Sequence, residues 1–280
     1  MDASMNLFLQ LQAAKIRKYG LEAIEAANSG HIGGSFSIAE ILSVLYFDRM
    51  NIDIDNPRKQ DRDRFVLSKG HCTPAVYAAL ALRGFFPLED LKGFRRIDSY
   101  LSGHIEMNHV PGVDMSAGSL GQGFSASVGM ALGGKIDKLD YKVYAITGDG
   151  EIQEGQIWEA AMSAAHFKLD NLRLFIDNNS LQLDGPVEKI MSIYPIEDKF
   201  KAFNWAVISI NGNDVMEVAQ ALDKADTIAD RPVAIIARTI KGKGVSAFEN
   251  NVKFHGGRPS KEQYAAAYSE LDARIAKLEE

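Results

Sequence analysis

Cysteine is nearly missing from this chain: Cys72 stands alone among 280 residues. A single thiol makes no internal disulfide, which excludes the stapled folds of small secreted proteins and fits a reducing compartment. Long apolar runs are missing too, since none approaches the ~20 residues a membrane-spanning helix requires. The N-terminus carries Asp2 and no basic stretch ahead of its periodic apolar residues. That excludes a secretory signal pattern and makes the cytoplasm the expected location. Positive charge is in deficit, with 31 lysines and arginines against 37 acids and a net charge of −6. Neither nucleic acid nor an anionic membrane is therefore expected as a main partner. Repeats, low-complexity tracts and linkers are absent as well, so residues 1–280 are expected to form one domain. What the chain does hold is apolar content, 46%, ample for a large α/β core.

Helical and strand patterns alternate throughout. Residues 7–28 read as an amphipathic helix stopped by Ser29-Gly30. Ser37 with Glu40 reads as a capping box opening a helix over 38–50. A short strand is expected over 64–67, a helix over 74–83, and an Ala/Gly-rich helix over 122–135. Strands over 141–146 and 172–176 flank a helix over 155–168, and two more strands follow over 206–210 and 233–240. Ser260 with Gln263 caps a final helix. The fold class this implies is α/β: a doubly wound, mostly parallel sheet flanked by helices, with ligands bound at the strand carboxyl ends.

Gly148-Asp149-Gly150 follows the first strand of the central unit, and Asp177-Asn178-Asn179 follows the second, with residues 151–177 between Gly150 and the Asn178-Asn179 pair. A right-handed crossover brings Asp149 and Asn179 to neighbouring carboxyl ends of one sheet. A carboxylate and an amide oxygen there suit a hard divalent cation such as Mg2+, which completes its shell with phosphate oxygens and water. Gly150 permits close backbone approach, and the helix that follows presents free N–H groups to the same phosphates. An Asp-Gly hairpin turn fits poorly, because a helical segment follows it. A P-loop and a dinucleotide fingerprint are both excluded by wording.

Four loops pair glycine with histidine: Ser29-Gly30-His31, Lys69-Gly70-His71, Ser102-Gly103-His104 and His255-Gly256. Glycine admits close approach of backbone and ligand, and histidine offers a donor or acceptor near neutral pH. Any one of them alone reads as an ordinary loop histidine. His109 and His166 are assigned to structure, and no histidine spacing suits a zinc site. A fifth loop, Ala117-Gly118-Ser119-Leu120-Gly121-Gln122-Gly123, is either a glycine-rich turn or backbone wrapped around a ring or a diphosphate.

The order and wording of SGHIGG, LSKGH, GSLGQG, GDGEIQEGQIWEA and DNNSLQLDG resemble the N-terminal portion of transketolase, a thiamine diphosphate enzyme that moves two-carbon ketol units between sugar phosphates. The resemblance runs from about Leu7 to the His255 loop, and Gln153-Glu154-Gly155 separates it from the 2-oxo acid dehydrogenase branch. Carried over residue by residue, it implies that Asp149, Asn179 and the Leu181 carbonyl bind the metal, Mg2+ or else Ca2+ or Mn2+. It implies that Gly150, His71 and His255 contact the diphosphate and that the Gly118-Ser119-Leu120 backbone faces the aminopyrimidine. His31, His104 and His255 would reach the sugar and move protons. Leu183 and Ile240 would wall the thiazolium, or else be plain core residues. Glu154 would link two cofactor sites, or else be a first-turn acid favoured by the helix dipole.

Ile32 and Ser119 stand where many single-chain members carry proline. The pyrimidine-binding and C-terminal domains of those members are not found here. The resemblance therefore implies the N-terminal subunit of a split transketolase, with a C-terminal partner subunit in a two-plus-two assembly. Two other readings remain: a 2-oxo acid dehydrogenase α-chain, and a cofactor-binding module without catalysis.

Overall fold

The computed structural model describes residues 1–280. Its scaffold is a five-stranded, wholly parallel sheet in the order β1-β2-β3-β7-β6. These strands are β1 (Arg64–Leu67), β2 (Val143–Gly148), β3 (Leu172–Asn178), β6 (Ala206–Asn211) and β7 (Val233–Arg238). A two-stranded antiparallel pair, β4 (Leu181–Gln182) and β5 (Gly185–Pro186), projects beyond β3.

Helices cover both faces of the sheet: α1 (Ala3–Ala27), α2 (Ile32–Ser37), α3 (Ala39–Val44), α4 (Thr73–Arg83), α5 (Gln122–Ile136), α6 (Gly155–His166), α7 (Val187–Met191), α8 (Ile196–Ala202), α9 (Val215–Asp226) and α10 (Lys261–Glu279). None is long and apolar enough to cross a membrane.

The alternation of strand side chains divides the core. Phe65, Leu67, Tyr144, Ile146, Phe175 and Ile235 pack into the layer of α1, α3, α4 and α9. Val66, Val143, Ala145, Leu174, Ile176 and Ile236 pack into the layer of α5, α6 and α8. Strands buried on both faces read as continuous apolar runs, which is how the central strands β2, β3 and β7 appear in the sequence, while the edge strand β6 alternates buried and exposed residues. A third, smaller cluster joins Leu21 and Ile24 of α1 to Phe36, Phe248, Phe254 and Leu271. It clamps the His31 and His255 loops between α1 and α10.

The expected elements recur with small changes of boundary. Asn28 ends α1 in the left-handed conformation, at φ 50°. The capping box at Ser260 is present, with Gln263 as its reciprocal partner. The box expected at Ser37 is not. Ser37 closes α2, and its hydroxyl donates to the Gly34 carbonyl and to Asp177 Oδ2, at 3.0 and 2.7 Å. Glu40 instead takes Arg17 at 2.6 Å in a buried pair. The single helix expected over 38–50 is thus two pieces, α3 and a π turn at Leu45–Arg49.

Candidate active site

Four strand ends feed one cleft of about 460 Å3. The turn after β1 supplies Lys69 and His71, the turn after β2 supplies Asp149, Gly150 and Glu154, the turn after β3 supplies Asn179 and Leu181, and the segment after β7 supplies Lys241. His31, His104 and His255 close it from their loops, and Gly118, Leu120 and Leu183 complete the rim. A larger cavity of 640 Å3 between α1, α9 and α10 holds none of these groups.

At the floor, Asp149 is only 2% exposed. Its carboxylate accepts from the Gly150 N–H at 2.8 Å and from the Ser180 N–H. No cationic side chain pairs with it, and burial, helped by the nearby Asp177 charge, pushes it up to about 7. A buried carboxylate without an ion-pair partner is costly, and each of its oxygens keeps a free lone pair. Asn179 is held by Nδ2, which donates to Asp177 Oδ2 at 2.9 Å. Its Oδ1 therefore faces away from Asp177 and accepts from the Leu181 N–H at 3.1 Å. The Asp149 carboxylate, the Asn179 amide oxygen and Leu181, whose carbonyl accepts from Lys241 at 2.7 Å, line the same cleft, an oxygen donor set without sulfur that fits a hard divalent cation.

Asp177 itself is fully buried and accepts four hydrogen bonds: from Ser37 at 2.7 Å, Lys69 at 2.6 Å, Asn179 at 2.9 Å, and Thr239. Burial alone would raise its pKa, but the Lys69 ammonium and these donors hold it below the usual carboxylate value. One buried anion thus fixes the orientation of Asn179 and Lys69 together. Glu151 does the same for the glycine loops. Its carboxylate accepts from Ser68 Oγ, from the Gly121 N–H at 2.9 Å and from the Gly148 N–H at 3.0 Å.

Gly70 lets the His71 turn and the 117–118 loop touch, since a Cβ there would lie 2.2 Å from the Ala117 carbonyl oxygen.

The four loop histidines form a cluster. Ring centroids lie 5.0 Å apart for His31 and His71, 5.2 Å for His71 and His255, 5.5 Å for His31 and His255, and 6.4 Å for His31 and His104. Burial first, then neighbouring positive charge, lowers His31 to about 4 and His255 to about 3, and pushes His71 well below its ordinary value. His104, on the exposed rim, is lowered by the same causes. At neutral pH all four rings are therefore neutral, and each can both donate and accept. His109 and His166 lie outside the cleft, and His109 pairs with Glu106.

Lys241 was not among the residues expected from sequence, although the run Lys241-Gly242-Lys243-Gly244 directly after a strand was a signal. Its ammonium donates to the Leu181 carbonyl at 2.7 Å and lies 2.9 Å from His255 Nδ1. Nor does the sequence alone give a role to Lys69, within LSKGH, or to Glu151. Two of the expected site residues stand apart from the cleft. Ser119 is exposed on its loop, and Ile240 does not line the wall, its N–H being tied to Asn213 Oδ1 at 2.8 Å. Leu183 does line it, and is 60% exposed.

The motif wording and this geometry coincide with a known family. Residues 9–272 match the model described as transketolase, thiamine diphosphate binding domain. The chain belongs to the transketolase family.

Among its relatives is the 6-deoxy-6-sulfo-D-fructose transketolase subunit SqwG of Clostridium sp. (strain MSTE9), 48% identical over 264 residues. That match covers 94% of this chain and 96% of that protein. An apulose-4-phosphate transketolase subunit of Phocaeicola vulgatus is 44% identical, with 97% of this chain and 96% of that protein covered. Human transketolase is 42% identical over 87% of this chain, which spans only 39% of that protein. In structure, Campylobacter jejuni transketolase superposes with a TM-score of 0.90 at 33% identity, covering 99% of this chain and 46% of that one. A thiamine diphosphate binding domain of transketolase type, named as a separate subunit in relatives of matching length, is thus the frame for the cleft.

Proposed function

We propose that this chain is the diphosphate-binding subunit of a split transketolase, transferring a two-carbon ketol unit from a ketose phosphate to an aldose phosphate with thiamine diphosphate and a divalent cation. The observation that carries this reading is the meeting, in one cleft, of the oxygen donors Asp149, Asn179 and Leu181 with four neutral histidines. Thiamine diphosphate, when bound, supplies the nucleophilic thiazolium carbon and the electron sink that accepts the cleaved bond's electrons.

The chain's own groups do the rest. Asp149, Asn179 and the Leu181 carbonyl hold the cation, Mg2+ first and Ca2+ or Mn2+ by the same oxygen chemistry. Lys241, His71 and His255 face the diphosphate, while Gly150 keeps the backbone low beneath it. The 118–120 loop faces the aminopyrimidine through the Gly118 and Leu120 backbone, Leu183 lies against the thiazolium, and Glu154 reaches toward a second cofactor site.

Lysine can only donate, so a hydrogen bond from Lys241 leaves His255 Nδ1 as acceptor and puts the ring proton on Nε2, ready to donate. His31 and His104, both neutral, can take the hydroxyl proton released as the carbon–carbon bond breaks.

The remainder of the pocket would come from a C-terminal partner subunit, in a two-plus-two assembly in the cytoplasm. Two relatives of matching length are named as subunits. Leu183, Ile190 and Met191, beside the cleft mouth, are 60, 46 and 53% exposed, an apolar rim suited to a partner. The same relatives are named for 6-deoxy-6-sulfo-D-fructose and apulose-4-phosphate, which makes a ketose with an anionic terminus the substrate class.

The test is ketol transfer to ribose 5-phosphate by the co-purified two-subunit complex, beside the chain alone, with xylulose 5-phosphate, apulose 4-phosphate and 6-deoxy-6-sulfofructose as donors. Transfer from one of them by the complex only is expected. Decarboxylation of 2-oxo acids without ketol transfer would overturn the reading.

A further inference from the structure

Two of the histidine loops are joined by a side chain that does not line the cleft. Arg95 follows the 3-10 segment Leu88–Gly93 and reaches both the Ser29-Gly30-His31 loop and the Ser102-Gly103-His104 loop. Its Nη1 donates to Ser29 Oγ at 2.6 Å, and its Nη2 donates to the Gly103 carbonyl at 3.3 Å. No backbone hydrogen bond joins the two loops. The guanidinium also lies 5.4 Å over the ring of Phe94, which is fully buried, so its position is set by the core.

The fit is close and carries strain. Arg95 sits at φ 60°, in the left-handed region, at a cost on the order of 1 kcal/mol for a residue with a side chain. Its N–H donates to the Leu101 carbonyl at 2.8 Å, holding that turn. A Cβ on Gly103 would come within 2.6 Å of Arg95 Nε. Arg95 Nε and His31 Nδ1 are both buried without a hydrogen-bond partner. Strain and unpaired polar groups together are retained where the surrounding structure needs the geometry for function.

We propose that Arg95 is the positioning residue of the two proton-handling histidines, spanning their loops and fixing the 6.4 Å between the His31 and His104 rings. This rests on the reading that both rings act on the sugar. Arg95 also acts through charge. Alongside burial, its permanent positive charge lowers His31 and His104 alike. The other groups around His31 are His71, His104, His255 and Lys241, and none of them is an anion that would offset it. Both rings are thereby kept as acceptors at neutral pH.

The test compares Arg95→Gln and Arg95→Lys in the two-subunit complex with thiamine diphosphate and Mg2+. Arg95→Gln is expected to lower kcat about 100-fold, the scale of a 1 Å misplacement, with cofactor affinity unchanged. It is also expected to move the acid limb of the pH profile upward. Arg95→Lys keeps the charge but cannot fork between two loops, so kcat falls while the acid limb stays. Ser29→Ala removes one anchor and keeps the charge, and a several-fold loss of kcat is expected there even if Arg95→Gln does not fold.

Histidine titration by NMR on the full chain separates this inference from the functional reading. Higher His31 and His104 midpoints in Arg95→Gln support the inference whether or not ketol transfer is found. Unmoved midpoints, or wild-type kcat in Ser29→Ala, would overturn it.

Discussion

The Lys241 ammonium lies 2.9 Å from His255 Nδ1 and 2.7 Å from the Leu181 carbonyl oxygen, so one cation links a histidine to a proposed metal ligand. Burial lowers the pKa of Lys241, against the carboxylates around it. Lys241→Met keeps the stem and removes the charge. Charge-assisted hydrogen bonds contribute about 1.5–3 kcal/mol each, so thiamine diphosphate affinity of the complex is expected to fall roughly 10- to 100-fold. Fluorescence titration of the cofactor checks this, and an unchanged Kd would remove Lys241 from the diphosphate site.

Asp177→Asn tests the buried node under the site. The amide cannot accept all four hydrogen bonds and leaves Lys69, itself 2% exposed, without its counter-ion. Breaking a buried pair costs about 3–5 kcal/mol, to be read by chemical denaturation of the full chain. Metal affinity should also fall about 10- to 100-fold, because Asn179 loses the group that orients it. A stable variant with wild-type metal affinity would mean that Asn179 is oriented by something else.

Much of this arrangement was legible in the sequence, and the misread box at Ser37 and Glu40 shows what was not. The strand Arg64–Leu67 was bounded correctly because its apolar run is short and closed by polar residues. The Ser260 cap was legible because both of its bonds are local. Ser37 and Glu40 carried the same local pattern but found distant partners, Asp177 and Arg17, and a distant partner leaves no mark in a short window. Helix α9 is not among the expected elements, although its signals are local: Asp214 caps it and Val215, Val218 and Leu222 repeat at helical spacing. The motif loops could be recognised by wording. The roles of Asp177 and Glu151, buried groups inside those motifs, could not, because they come from burial and from partners on other elements.

Acid should destabilise the folded chain through its neutral histidines. Burial and nearby positive charge place His31 at about 4 and His255 at about 3 when folded, below the ~6.5 of an unfolded chain. The unfolded state therefore binds these protons first, and stability rises with pH across the window. The contribution is full above about pH 6.5 and is lost progressively as pH falls toward the folded values. Melting temperature between pH 7.5 and 5 should drop less in a His31→Asn, His255→Asn double variant than in wild type. An equal drop would mean that other groups govern acid unfolding.

Gly70→Ala probes the contact between loops. With the Ala117 carbonyl oxygen 2.2 Å from the added Cβ, backbone must move, and overpacking of this kind costs about 1–3 kcal/mol. The displaced His71 turn should weaken cofactor binding in the complex beyond what stability alone explains. Wild-type melting and affinity would show that the two loops are not in contact in solution.

The central claim is that the cleft at the strand carboxyl ends holds thiamine diphosphate through a cation on Asp149, Asn179 and Leu181. Calorimetric titration of thiamine diphosphate into the two-subunit complex tests it most directly, using wild type and Asp149→Ala, each with Mg2+ and with chelator. The account predicts tight binding only for wild type with Mg2+, and its loss by at least tenfold in the other three arms. Equal affinity in Asp149→Ala with Mg2+ would contradict it.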